Sequence, residues 1–129
     1  MKALFTSLLV VSLIALTSFA QKGNIDAVIG ALRSGDATEL SNYFEESVEL
    51  TLPAQSDSYS KAQAVLILKD FFNNNGVKSF DVKHKGDGGG GQFCVGTLQT
   101  RSGNFRTTVF MKVKNSREVV KEIRFQSIE

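Results

Sequence analysis

The chain has one histidine, His84. It closes a run in which Phe80, Val82 and His84 alternate with Asp81 and Lys83. A period of two places these three side chains on one face of a strand, so His84 is expected on the inward face, near the strand's end. A neutral imidazole at a pocket mouth can act as a general base or offer a ligand bond near neutral pH. The plainer alternative is a hydrogen-bonded structural histidine. Thr97 and Gln99 extend the row Phe93, Val95 in the same manner. They are expected to line such a pocket with polar groups, or else to lie where a strand end meets solvent. Tyr43 and Tyr59, the only tyrosines, complete the candidate ligand-binding set. Tyr43 falls on a helical apolar stripe, as a core residue with one satisfied hydroxyl would. Tyr59 precedes a helix cap and can pack against the helix start.

Other chemistries are poorly supplied. Cys94 is the only cysteine, so no disulfide can form within the chain. Such a residue reads either as a small buried hydrophobe or as one half of a bond between two molecules. One histidine and one cysteine do not make a zinc site, and no carboxylates follow a calcium-loop pattern. No metal and no cofactor is therefore expected. The glycine-rich run 86–91 is followed by neither Lys-Ser nor Lys-Thr. It leads into a strand, so it does not read as a phosphate loop. No serine carries the context of a nucleophile.

The elements that must position these residues follow from periodicity. Ile25, Val28, Ile29 and Leu32 form a helical stripe within 22–33, and Gly35 suits a left-handed stop after it. Asp36 and Glu39 have capping-box spacing and open a second helix whose buried face continues through Leu40, Tyr43 and Phe44. Val48, Leu50 and Leu52 alternate with Glu49 and Thr51, which predicts a half-buried strand ended by Pro53. Residues 54–58 read as a polar connection. Ser60 and Gln63 repeat the capping box before the longest helix, with Ala64, Val65, Ile67, Leu68, Phe71 and Phe72 on its apolar face and Gly76 beyond its end. Strands then follow at 77–85 and 92–100. The next has Phe105, Thr107, Val109, Met111 and Val113 on one face, and the last is lined by Val119, Ile123 and Phe125. Short turns make this meander antiparallel. The expectation is an α+β domain in which three helices in the N-terminal part cover one face of a curved, all-antiparallel sheet.

The opening twenty residues have the pattern of a signal peptide. Lys2 is followed by the apolar run from Leu4 to Leu16, and Ser18-Phe19-Ala20 offers small residues for a cut before Gln21. The run is shorter than the roughly twenty residues that span a bilayer, so no stable membrane anchor is expected after processing. The product would be exported, periplasmic or secreted, with residues 21–129 as a single domain. The whole chain of 129 residues has 42% hydrophobic and 22% charged residues and a formal charge of +2, which is globular and offers little attraction to nucleic acid.

The segments Ile25–Leu32, Arg33-Ser34-Gly35-Asp36-Ala37 and Tyr43–Val48, with the strand ending at Pro53, resemble the nuclear transport factor 2-like superfamily, also called the cystatin-like or cone-shaped α+β fold. Tyr59–Leu66, Phe71-Phe72 and His84-Lys85-Gly86 are similar to a narrower group of short exported bacterial proteins, known only as a family of unknown function. The resemblance implies a cone with a pocket at its open end and often a dimer through the outer sheet face. The Tyr-plus-acid pair of ketosteroid isomerases and the Asp/His pairs of dehydratases have no match here. That points to a non-enzymatic domain binding a small molecule or peptide, or serving as a partner in an envelope complex. The enzymatic alternative is an isomerase or lyase using His84 as base.

Charge is uneven: residues 21–76 hold four basic and eight acidic residues, and residues 77–129 hold ten and five. The outward sheet positions are expected to include Cys94, Leu98, Thr108, Phe110 and Val120, rimmed by Arg106, Lys112 and Arg124. An apolar centre with a charged rim is how a homodimer interface would look. Scattered apolar residues on a solvated strand face give the same list.

Overall fold

The computed structural model describes residues 24–128; the signal segment expected at 1–20 lies outside them. Helix α1 (Asn24–Ser34) is followed by α2 (Ala37–Ser41), β1 (Phe44–Leu52), β2 (Gln55–Ser60), α3 (Lys61–Asn75), β3 (Val77–Asp87), β4 (Gln92–Thr100), β5 (Gly103–Lys114) and β6 (Arg117–Ile128). Two helices precede the sheet; the third follows two strands. The six strands form one sheet in the order β2-β1-β6-β5-β4-β3.

Local signals explain the helices. The stripe Ile25, Val28, Ile29 and Leu32 is buried along α1. Gly35 closes that helix at φ +65°, a conformation that a β-carbon disfavours. The Glu39 amide donates to Asp36 Oδ1 at 3.0 Å, capping α2. This second helix stops at Ser41, so Phe44 belongs to β1 and Tyr43 to the turn between them. Ser60 and Gln63 form the reciprocal capping box of α3. Such a cap typically contributes about 1 kcal/mol. Ala64, Leu68 and Phe72 are its fully buried positions, four residues apart.

The sheet departs from expectation in three ways, each with a physical cause. First, residues 55–60 are a strand, not a polar connection. They pair antiparallel with β1, placing Leu52 opposite Gln55 and Val48 opposite Tyr59. Second, the sheet is not wholly antiparallel: β1 pairs parallel with β6, with Leu50 opposite Ile123. Both side chains are buried, and the hydrophobic gain of joining these two apolar rows sets the neighbours. Third, bulges shift the register between Val82 and His84 and between Phe110 and Met111. One extra residue on one strand turns every later side chain to the other face.

The bulges decide which residues are core. Directly opposed residues share a face. Phe80 opposes Leu98 and Val82 opposes Gly96, but after the bulge His84 opposes Val95. The inward row of β4 is therefore Cys94, Gly96, Leu98 and Thr100, all buried. Gly96 is required there, because a β-carbon would lie 2.7 Å from the Phe80 ring and 2.6 Å from the Asp81 carbonyl oxygen. On β6, Ile123 opposes Val109, while Val120 opposes Met111 across the second bulge. Val120 and Ile123 both reach the core that way, and both are 0% exposed.

The two sheet edges are guarded differently. On β3 the bulge, three lysines (Lys78, Lys83, Lys85) and α1 intervene, and Arg33 Nε donates to the Phe80 carbonyl at 3.3 Å. On β2 the Ser58 amide donates to Asp57 Oδ1 at 2.8 Å and the Ser60 amide to Gln63 Oε1 at 3.4 Å.

Candidate functional site

His84, Thr97 and Gln99 are brought onto one surface, but it is the outer face of the sheet rather than a covered pocket. His84 is exposed, with its ring centroid 5.5 Å from that of Phe93. Its expected inward position is corrected by the preceding bulge. A base there would work in open water, without a walled substrate site. Thr97 is half-buried and Gln99 exposed; Gln99 Oε1 accepts from the Ser79 hydroxyl at 3.0 Å. Both are turned outward because Cys94 and Leu98 take the inward phase. Tyr43 and Tyr59 are half-buried and pack against the core. The Tyr43 carbonyl accepts from the Val120 amide at 2.7 Å.

Three of the five expected outward positions are also corrected. Cys94, Leu98 and Val120 are each 0% exposed and belong to the core. Phe110 stays on the outer face, half-buried opposite Phe93, and the Arg124 guanidinium carbon lies 5.7 Å from its ring centroid. Burial pushes the Cys94 thiol up to about 11. A cysteine so enclosed and so rarely ionised does not form a bond between folded molecules. Glu45, by contrast, binds both Lys112 Nζ (2.7 Å) and Lys114 Nζ (2.6 Å), which holds its carboxyl below the usual glutamate range. This ties β1 to the end of β5.

A concave feature with an apolar floor lies elsewhere. A cleft of about 480 Å³ opens between the C-terminal half of α3, the β1–β2 turn, and the adjoining ends of β5 and β6. Pro53 follows the end of β1 and makes the β1–β2 turn with Ala54, and both residues line the cleft. Leu52, Ile67, Phe71 and Phe105 supply apolar walls; Gln55, Asp70, Asn74, Asn75 and Ser127 supply polar groups. Phe71 is fixed by its neighbours, with ring centroids 5.1 Å from Phe105 and 4.8 Å from Phe125. Asn75 Nδ2 donates to the Phe71 carbonyl at 2.7 Å, and the Ser102 amide to the Asn75 carbonyl at 3.3 Å, which docks the β4–β5 turn on the helix end. None of His84, Thr97, Gln99, Tyr43 or Tyr59 lines this cleft. A helical stripe at 67, 70, 71 and 74 mixing Ile and Phe with Asp and Asn was its sequence signal.

A second cavity of about 440 Å³ lies on the outer face between the glycine loop and Phe93, Phe110, Lys112, Lys121, Glu122 and Arg124. The glycine loop is the tip of the β3–β4 hairpin and is held to β5, where the Val113 amide donates to the Gly90 carbonyl at 3.2 Å. Among the described residues, no three His, Cys, Asp or Glu side chains gather as a metal site would require, and no helix is long and apolar enough to cross a membrane.

The sequence profile of a family described as a domain of unknown function, DUF4783, matches residues 25–126. The chain belongs to that family. A DUF4783 protein of Bacteroides ovatus is 34% identical, with a TM-score of 0.76 and coverage of 80% of this chain and 94% of that one. A second, from Bacteroides uniformis, is 32% identical, with a TM-score of 0.79 and coverage of 83% and 99%. An NTF2-like protein of unknown function from Cytophaga hutchinsonii shares the fold at a TM-score of 0.59 and 8% identity, covering 81% of this chain and 86% of that one. The DUF4783 chain is thus an α+β domain of NTF2-like architecture, with helices on a curved six-stranded sheet. No curated protein matches it.

Proposed function

We propose that this DUF4783 domain is a non-catalytic binding module whose cleft takes the apolar part of a small molecule or peptide. One observation carries the reading: the cleft joins a fixed apolar floor of Leu52, Ile67, Phe71 and Phe105 to a few polar rim groups. That is the usual make-up of a ligand site. The exposed His84 lies outside it, so the cleft has no histidine to serve as a base. Titration with n-hexanol, followed by two-dimensional amide NMR, is expected to give saturable shifts at residues 53–55 and 67–75. Ala54→Trp, which fills the mouth from an exposed turn, is expected to abolish them. Shifts spread evenly over the chain, or none, would end this reading.

A second copy is proposed on the outer sheet face. Phe93, Val95 and Phe110 are half-buried there among groups of both signs, Arg106, Arg124 and Glu122. Mixed charge around an apolar centre can pair with itself across a two-fold axis. Light scattering is expected to show a dimer at tens of micromolar and a folded monomer for Phe110→Glu; a monomeric parent protein would refute it. Export is proposed from the leader-like residues 1–20. Mass spectrometry of protein from its native host is expected to find Gln21 at the N-terminus; an intact leader would count against export.

A further inference from the structure

The cleft's polar groups are chemically one-sided. Of the side chains lining it, Asp70 alone is ionisable at neutral pH; the others are apolar, amide or hydroxyl. Among the described residues no ion pair engages Asp70. Lys69 is adjacent in sequence, but successive helical residues point in different directions and do not face each other. Asp70 lies with Ile67, Phe71 and Asn74 on one stripe of α3, so its carboxylate sits directly beside the apolar wall. An anionic ligand would meet this carboxylate with no lysine or arginine in the lining to offset it. A neutral ligand would leave it without a partner. A cation would gain a charge-assisted contact, with Asn74 and Gln55 available to its remaining donors.

We infer that the cleft selects a ligand with an apolar body and a cationic head, its apolar part against Phe71 and Phe105 and its charge at Asp70. This rests on the binding reading above and adds the ligand's charge. The same chemistry is found in a free alkylamine and in a basic side chain flanked by apolar residues in a peptide.

The test compares n-hexylamine, n-hexanol and hexanoate, equal in length and different in charge, with a blocked Leu-Lys-Leu peptide as a fourth probe, each titrated against the protein by amide NMR. Hexylammonium is expected to bind about fivefold more tightly than hexanol, as a partly exposed ion pair allows, with hexanoate the weakest. Asp70→Asn, at an exposed position, is expected to remove hexylammonium's advantage over hexanol when both are measured on that variant. Added salt should erase the same difference. Tighter binding of the peptide than of hexylammonium identifies a protein ligand, and the reverse a small molecule; either supports the inference. Equal affinities for the three alkyl probes, or a preference for hexanoate, overturn the charge assignment while the binding reading stands. Binding by none of the four overturns both.

Discussion

Phe125→Ala is expected to cost about 4 kcal/mol, a large share of the stability of a domain of this size. The side chain is 0% exposed, with ring centroids 4.8 Å from Phe71 and 6.0 Å from Phe72. Truncating a buried phenylalanine removes its transfer free energy and leaves a cavity, together roughly 3 to 5 kcal/mol. Domains of this kind are stable by roughly 5 to 15 kcal/mol. The surroundings cannot readily collapse into the space, because Phe71 and Phe72 are held on one helix and Phe125 on a central strand. Urea unfolding monitored by circular dichroism reads the change in midpoint. A loss below about 1 kcal/mol would mean that the helix layer does not rest on β6 as described.

Adjacent positions on β4 are expected to respond in opposite ways. Leu98→Asp puts an unpaired carboxylate among Phe80, Phe105 and the rest of the core, where Leu98 is 0% exposed. A buried charge without a partner costs several kcal/mol, so this variant should show no cooperative unfolding transition. Gln99→Asp lies on the solvated face and should change stability by less than about 0.5 kcal/mol. The pair tests the strand's phase rather than the size of one contact. If Gln99→Asp unfolded the protein and Leu98→Asp did not, the inward and outward rows would be exchanged, and Phe93 and Val95 would be core.

That phase is where the sequence was hardest to read. On β4 both alternating rows carry apolar residues: Phe93 and Val95 on one, Cys94 and Leu98 on the other. Size favoured the first row; the structure buries the second, because Phe80 on the neighbouring strand occupies the space above Gly96. The same ambiguity misplaced Cys94, Leu98 and Val120 as surface and His84 as interior. A bulge shows itself only when a strand is laid beside its partner. The edge strand β2 was hidden for a related reason. Gln-Ser-Asp-Ser-Tyr-Ser has no apolar alternation, and it is ordered by pairing with β1 rather than by burial. The parallel joining of β1 to β6 is likewise a long-range choice that no local signal records.

Features set by local chemistry were legible. The α1 stripe, the left-handed Gly35, the Asp36 cap, the Ser60–Gln63 box and Gly76 at the end of α3 stand where spacing put them. The inward row Phe105, Thr107, Val109 and Met111 is buried as read, although Val113 beyond it is 61% exposed. The cleft was not legible as a site. Its walls are residues that periodicity assigns to the core, and their meeting at one cleft is set by how distant elements come together.

The treatment of the two outermost strands has a bearing on how these molecules behave when crowded. Fibril growth needs a rim with vacant main-chain donors and acceptors, on which the next polypeptide can be laid like a rung. One rim here is wrinkled and cationic; the other has two of its amides already claimed by nearby side chains. Stacking rim to rim is thereby discouraged.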